Sequence, residues 1–294
     1  MYFIFCSLLR NIHQISTRTI IYCFLGMALP ALCGCQPVVY QSPPGYAINK
    51  PQRFFLGDAL HEISGIVFYK KNPDSVYAIE DENGKLFSFH PGDGKYSHVK
   101  FGKKGDYEDV AILDDEFVVL RSDGSLFLFP VSQARTGKVD SVKPYEHILP
   151  EGEYEGLTAT DDGKLIAMCK NCPVDKHHEV SLYVLQKNGG GQLAIISQFK
   201  ASVAKDELES DKKKVKFHPS CLAQHPITKD WYIISSVNKA LVIFDPQWKF
   251  KSIYELNPAF FKQPEGLAFD AKGNMYISNE GGEGSPTLLI FSYN

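Results

Sequence analysis

The feature that most constrains the fold is a short motif that occurs five times along the chain. Each copy begins with a small polar or acidic residue and continues into apolar residues, and the copies begin at residues 62, 108, 155, 220 and 265. The steps between them are therefore 46, 47, 65 and 45 residues. A period of about 40–50 residues is typical of repeated supersecondary units. If each unit holds several short strands, the repeat predicts a β-propeller, in which equivalent positions of all blades meet around one axis.

The segments after each motif predict such strands. Short β-branched and aromatic runs follow the first motif at Val76–Ile79 and Leu86–Phe89, and a turn dipeptide, Asn83-Gly84, separates them. The prediction is an all-β chain with a single β-propeller of four-stranded blades. Five blades are favoured, and six is the alternative if the longer step hides a further blade. The segment Pro51–Leu56 is predicted to supply the missing strand of the last blade and so to join the two chain ends.

The amino terminus predicts an export signal with a lipid anchor. Arg10 and Arg18 precede an apolar run that ends in Leu32-Cys33-Gly34-Cys35, and this ending resembles a bacterial lipobox. By that resemblance Cys35 becomes the lipidated first residue of the mature chain. An ordinary cleaved signal peptide and a retained anchor are the alternatives. The expected organisation is a signal peptide over residues 1–35, a tether over 36–50 and a propeller over 51–294, held on the membrane of a bacterial cell envelope and facing the periplasm or the exterior.

The net charge and the length of the chain limit the kinds of molecule that it is expected to bind. The net charge is −3, and without a strong basic field the chain is not expected to bind nucleic acid. The residues after the tether are numerous enough for one large hydrophobic core. We therefore expect a monomer that binds an unknown ligand or envelope protein.

Acidic residues are the first candidate site. Four glutamates are predicted to begin innermost strands and two to end second strands: Glu62, Glu108, Glu155 and Glu265, then Glu80 and Glu280. Carboxylates that converge on one channel repel each other, so a cation, basic side chains or raised pKa values must offset the charge. Oxygen ligands alone suit a hard cation such as calcium. The alternative is structural, with the glutamates accepting backbone hydrogen bonds or forming salt bridges between blades, for which Arg121 and Lys170 are candidates.

Cys169 and Cys172 form the most distinctive local motif. In an oxidising compartment this pair favours a disulfide. Inert thiols are one alternative, and a metal or redox site that uses the nearby His177 and His178 is another. Ser220 takes the position that glutamate fills in other repeats, and no Gly-x-Ser-x-Gly elbow surrounds it, which argues against serine catalysis.

Several motifs together resemble the SdiA-regulated, YjiK-like β-propeller family. They are Glu62-Ile63-Ser64-Gly65-Ile66, Asp106 to Ala111, Tyr154-Glu155-Gly156-Leu157, His218-Pro219-Ser220, Gln263 to Ala268 and Tyr276 to Glu280. The resemblance implies a propeller outside the cytoplasm, often anchored to a membrane, whose activity is poorly defined. The chain is also similar to phytase-like esterase propellers, in which acidic residues bind calcium. It departs from them at Ser220 and in lacking an obvious basic cluster for phosphate.

Two functions from different classes follow. The first is a lipid-anchored module that presents a rim or channel to a ligand or an envelope partner, because the repeats carry no complete catalytic set. The alternative is a calcium-dependent esterase or phosphoesterase that activates water at the central acidic cluster.

Overall fold

The computed structural model describes residues 39–204 and 216–294. The predicted signal peptide and Cys35 lie outside the described residues. Within these two ranges, no helix has both the length and the apolar character that a membrane span requires.

The described chain forms five antiparallel sheets of four strands each. Strand β1 (Gln52–Phe55) precedes the first repeat. Blade 1 contains β2 (Ile63–Phe68), β3 (Val76–Glu80), β4 (Lys85–Phe89) and β5 (Tyr96–Lys100). Blade 2 contains β6 (Tyr107–Leu113), β7 (Glu116–Arg121), β8 (Leu126–Pro130) and β9 (Lys143–Tyr145), with the short helix α1 (Val131–Arg135) after β8.

The remaining blades repeat the same order. Blade 3 contains β10 (Glu153–Ala159), β11 (Leu165–Asn171), β12 (Glu179–Lys187) and β13 (Leu193–Ser202). Blade 4 contains β14 (Cys221–Gln224), β15 (Trp231–Ser235), β16 (Ala240–Phe244) and β17 (Phe250–Glu255). Blade 5 contains β18 (Pro264–Phe269), β19 (Met275–Asn279) and β20 (Thr287–Phe291). The predicted five-bladed propeller is confirmed.

The last blade is completed from the other end of the chain. Strand β1 pairs antiparallel with β20, with Arg53 opposite Leu289. This pairing covers the edge that β20 would otherwise expose, and it confirms the predicted closing strand.

The hydrophobic core lies in the seams between blades. Each of the five core clusters combines residues of two adjacent blades. Leu157 of β10, for example, packs with Leu120 of blade 2, whereas Leu222 of β14 packs with Met168 of blade 3. Burial in these seams therefore fixes each blade against its two neighbours.

The segment before β1 belongs to the packed domain. Ile48 is fully buried, and with Tyr46 it joins the cluster between blades 4 and 5. The Tyr46 hydroxyl donates a hydrogen bond of 2.6 Å to the carbonyl of Gly273. The compact unit begins at Tyr40, so it includes the last eleven residues, 40–50, of the expected tether. The side chains of Tyr46 and Ile48 are buried because the seam between blades 4 and 5 accommodates them.

Candidate functional site

The inner strands bulge at the motif glutamates. In β10, Tyr154 pairs with Cys169 and Gly156 with Met168, which leaves Glu155 as the extra residue. The register shifts in the same way at Glu108 in β6 and at Glu265 in β18. A β-bulge redirects one side chain out of the regular alternation. Three glutamates from three blades therefore occupy equivalent positions at one end of the channel.

In blade 1 the residue at the bulge is not the glutamate that the repeated motif predicts. In β2 the register shift lies between Ile63 and Ile66, so Ser64 takes the bulge position and Glu62 lies two residues before it. The prediction that Glu62 is equivalent to Glu155 and Glu265 is therefore wrong. Those two glutamates directly precede the glycine of the motif, and in blade 1 Ser64 is the residue in that position. In blade 4 the position belongs to Ser220, which precedes the paired residue Cys221. We call these five positions the bulge ring; its members are Ser64, Glu108, Glu155, Ser220 and Glu265.

Further carboxylates surround the bulge ring. Glu280, directly after β19, is close enough to Glu265, Glu62 and Asp81 for their charges to raise its pKa. Asp106 acts on Glu108 in the same way. We call this end of the channel the acidic mouth; its members are the bulge ring with Glu62, Asp81, Asp106, Glu280 and Lys170.

Lys170 neutralises part of this charge. It follows Cys169 in β11, and its ammonium group forms an ion pair with Glu155 and lies 3.5 Å from a carboxylate oxygen of Glu153. Burial is the main effect on the pKa of Glu155 and raises it, while Lys170 opposes that rise. Lys170 is thus bound to one ring glutamate, and no ion pair within the described part of the chain includes either of the other two.

Glu108 is the least compensated member of the ring. None of the ion pairs formed by residues 39–204 and 216–294 includes it. Burial raises its pKa far above the usual range, and the charges of Glu155 and Asp106 raise it further. Glu108 therefore favours a proton or a bound cation over a free negative charge.

Hydroxyl and amide groups compensate the acids on the other side of the mouth. Burial raises the pKa of Glu265, and hydrogen bonds from Ser236 and Ser220 oppose this. The Gln263 amide donates a 2.7 Å hydrogen bond to Glu280, whose pKa rises to about 8, mainly through burial. Ser220 is thus engaged with the acidic ring.

Glu80 does not join the acidic mouth. Its carboxylate accepts hydrogen bonds from the backbone N–H groups of Glu82 and Asn83, at 3.2 and 2.8 Å, and from the Asn83 amide at 3.0 Å. It therefore closes the turn after β3. The next residue, Asp81, lies at the mouth instead, and burial is the main cause that raises its pKa to about 6.

Cys169 and Cys172 are joined by a disulfide in the structure, and both are buried. The one further potential metal ligand close to them in the described chain is Asp175, and neither His177 nor His178 is part of that group. Lys170 lies between the two cysteines in the sequence. The disulfide therefore limits the movement of the backbone that carries the ion-pair partner of Glu155.

The comparison with family models identifies the chain's relatives. The model of the SdiA-regulated family matches residues 44–283, which is nearly all of the propeller. The chain belongs to the SdiA-regulated family. This confirms the resemblance seen in the motifs. No curated protein matches the chain.

Solved structures similar to this member of the SdiA-regulated family share its fold at low identity. Glutaminyl cyclase of Myxococcus xanthus is 12% identical with a TM-score of 0.56, and the match covers 83% of this chain and 95% of the cyclase. A luciferin-regenerating enzyme is 10% identical with a TM-score of 0.53 and the same two coverages. Regucalcin of Agrobacterium tumefaciens, described as a calcium-binding protein, is 11% identical with a TM-score of 0.50, covering 85% of this chain and 95% of regucalcin. These similarities establish the propeller architecture alone.

Proposed function

We propose that this protein is a ligand-binding module of the bacterial cell envelope and that its acidic mouth binds a divalent cation, with calcium as the first candidate. The observation that carries the proposal is the bulge ring: three carboxylates of three blades converge, and within the described residues only Glu155 among them forms an ion pair, with Lys170. A cation between Glu108 and Glu265 would offset the repulsion that remains.

The chemistry of the ring suits calcium. All five positions carry oxygen atoms, as either carboxylates or hydroxyls. Calcium binds six to eight oxygen ligands and tolerates irregular geometry, whereas zinc and copper favour nitrogen and sulfur. Ser64 and Ser220 would supply neutral ligands, so that the site does not accumulate five negative charges.

The envelope location rests on the amino terminus. Acylation of Cys35 would hold the chain on a membrane, and export would place the propeller where calcium is abundant. A disulfide between Cys169 and Cys172 also suits an oxidising compartment.

A calcium-dependent esterase or phosphoesterase is the second candidate. It is favoured by Glu155, a buried carboxyl whose pKa is raised despite its lysine partner. A raised pKa near the working pH is the property that a general base requires.

Calcium titration of the full-length chain in detergent micelles tests the proposal. Calorimetry after chelation should show a stoichiometric site, and calcium should raise the melting temperature by mass action. Glu108→Gln and Glu155→Gln should lose both effects. Glu255→Gln is the matched control, because Glu255 is an exposed glutamate of the outer strand β17.

The absence of both binding heat and a melting shift in the wild-type protein would contradict the proposal. Hydrolysis of a p-nitrophenyl ester or phosphate separates the two candidates. Turnover that requires calcium and disappears in Glu155→Gln would support the hydrolase. Calcium binding without turnover would support the binding module.

A further inference from the structure

A second hollow lies at the end of the channel opposite the acidic mouth. It has a volume of about 300 Å³ and is lined by residues from the carboxyl ends of all five inner strands and from the turns that follow them. We call it the axial well. Small-molecule sites in proteins have volumes from about 300 to 1,000 Å³, so the axial well is large enough for a small metabolite.

Small residues occupy one repeated position in the wall of the well. This position lies three residues after the bulge ring, and all five residues there line the hollow: Val67, Ala111, Thr158, Ala223 and Ala268. None is larger than valine. Short side chains at five equivalent positions therefore form part of the wall of the hollow.

The walls of the well also offer backbone hydrogen bonds. Each inner strand is the last strand at one edge of its sheet. Half of the N–H and C=O groups of an edge strand have no partner strand. A ligand on the axis would therefore find donors and acceptors from several blades.

The rim of the well has an excess of positive charge. Its charged residues are three lysines, Lys70, Lys71 and Lys229, and two aspartates, Asp115 and Asp161. The ammonium groups of Lys71 and Lys229 contact the two oxygens of Asp161 at 2.7 and 2.8 Å. Three blades meet in this contact, since Lys71 follows β2, Asp161 follows β10 and Lys229 follows β14.

Each lysine keeps hydrogen-bonding capacity beyond Asp161. An ammonium group has three N–H donors, and Asp161 takes one from each of the two lysines. Asp115 is itself occupied, because it accepts a 2.7 Å hydrogen bond from the Tyr69 hydroxyl. The remaining donors of Lys71 and Lys229 are thus available to an anion.

The backbone at the rim lysines is unusual. Lys70, Lys71 and Lys229 have φ angles of 53, 56 and 61°, in the left-handed region that favours glycine. A turn alone would be formed more easily with glycine or asparagine at these positions.

We propose that the axial well binds a small organic anion whose carboxylate or phosphate group is held by Lys71 and Lys229. Asp161 offsets part of the positive charge of the two ammonium groups, and the body of the ligand lies among the short side chains and strand edges below. The site is independent of the acidic mouth, so the proposal stands or falls without the calcium site.

Calorimetric titration of the full-length chain in detergent micelles tests the proposal with four probes. They are citrate, glucuronate, glucose 6-phosphate and glucose. One site should bind at least one anion and should not bind the neutral sugar. Binding of glucuronate alone would identify a carboxylate ligand, and binding of glucose 6-phosphate alone a phosphate ligand.

Two variants and one control locate the site. The double variant Lys71→Gln, Lys229→Gln should bind the anion at least tenfold more weakly. Asp161→Asn keeps both lysines and removes their counter-ion, so it should bind the anion more tightly. Lys100→Gln is the control, because Lys100 is an exposed lysine of the outer strand β5 and does not line the well, and its affinity should equal that of the wild-type protein.

Thermal melting of each variant checks that the propeller is folded. If the double variant does not fold, the anion affinity of Asp161→Asn alone tests the proposal. No binding of any anion at millimolar concentration would overturn the proposal. Equal affinities for the wild-type protein and the folded double variant, or weaker binding by Asp161→Asn, would overturn it as well.

Discussion

A carboxylate oxygen of Asp109 in blade 2 accepts a 2.7 Å hydrogen bond from the backbone N–H of Leu157 in blade 3. The other oxygen accepts a 2.8 Å hydrogen bond from the N–H of Val110. Asp109 is only 4% exposed. This buried side chain therefore joins two adjacent inner strands, one residue after Glu108 and two residues after Glu155, and it holds together the strands that carry these two glutamates.

Replacement of Asp109 should destabilise the propeller. Asp109→Ala leaves the N–H groups of Leu157 and Val110 without acceptors, and each buried unpaired group costs about 1–3 kcal/mol. We expect the free energy of unfolding, measured with urea, to fall by about 2–5 kcal/mol. Asp109→Asn keeps one acceptor and should lose less. Equal losses for the two variants would show that the hydrogen bonds are not the cause.

A methyl group at Gly65 should disturb the same contact. A Cβ atom there would lie 2.1 Å from Oδ1 of Asp109 and 2.6 Å from its Cα. Since the Cα atom belongs to the backbone, it has no rotamer that relieves the overlap. We expect Gly65→Ala to lower the free energy of unfolding by about 1–3 kcal/mol.

The control for this prediction is Gly189→Ala. Nothing lies within 4 Å of a Cβ atom at Gly189, so its effect should stay within about 0.5 kcal/mol. Equal stability of Gly65→Ala and the wild-type protein would mean that blades 1 and 2 separate more easily than their packing indicates.

The segment before β1 should contribute to stability. Ile48 is fully buried in the seam between blades 4 and 5. Ile48→Ala should therefore lower the free energy of unfolding by about 2–5 kcal/mol. Val39→Ala is the control, because Val39 is 83% exposed. If both variants unfold at the same urea concentration, residues 40–50 are a tether after all.

The sequence predicts the fold well because the evidence is repeated. Strand-forming runs and turn dipeptides recur with each repeat, and the blade that contains β18, β19 and β20 takes its fourth strand from β1. The burial of Tyr46 was not predictable in this way. Its hydroxyl bonds to Gly273, 227 residues away, and no local pattern in a Pro- and Gly-containing segment indicates such a contact.

The sequence predicts that the candidate site is acidic, but it does not predict which residues the strand register places there. Repetition shows that acids converge, yet a bulge depends on which residues of the neighbouring strand pair. The choice between Ser64 and Glu62 therefore needs the register of β3. The same holds for Asp81 against Glu80, because Glu80 is used by its own turn. The axial well escaped prediction since its lysines lie in turns and look like ordinary solvated residues.

The acids of the mouth should make the protein less stable as pH rises. Burial and neighbouring charges raise the pKa of Asp81 to about 6 and that of Glu280 to about 8, and they raise that of Glu108 as well. In the unfolded chain these groups titrate near pH 4. The folded state thus holds protons that the unfolded state has lost, so the free energy of unfolding should fall from about pH 4.5 to pH 8.

Glu108→Gln tests this pH dependence because it removes one raised pKa without removing bulk. Its urea unfolding curves should show a smaller loss of stability between pH 5 and 8 than the wild-type protein, with a gain of roughly 1–3 kcal/mol at pH 8. Glu255→Gln should leave the pH dependence unchanged, since Glu255 is exposed on the outer strand β17. A wild-type stability that rises across this range would mean that the carboxylates of the mouth are already fully compensated within the propeller.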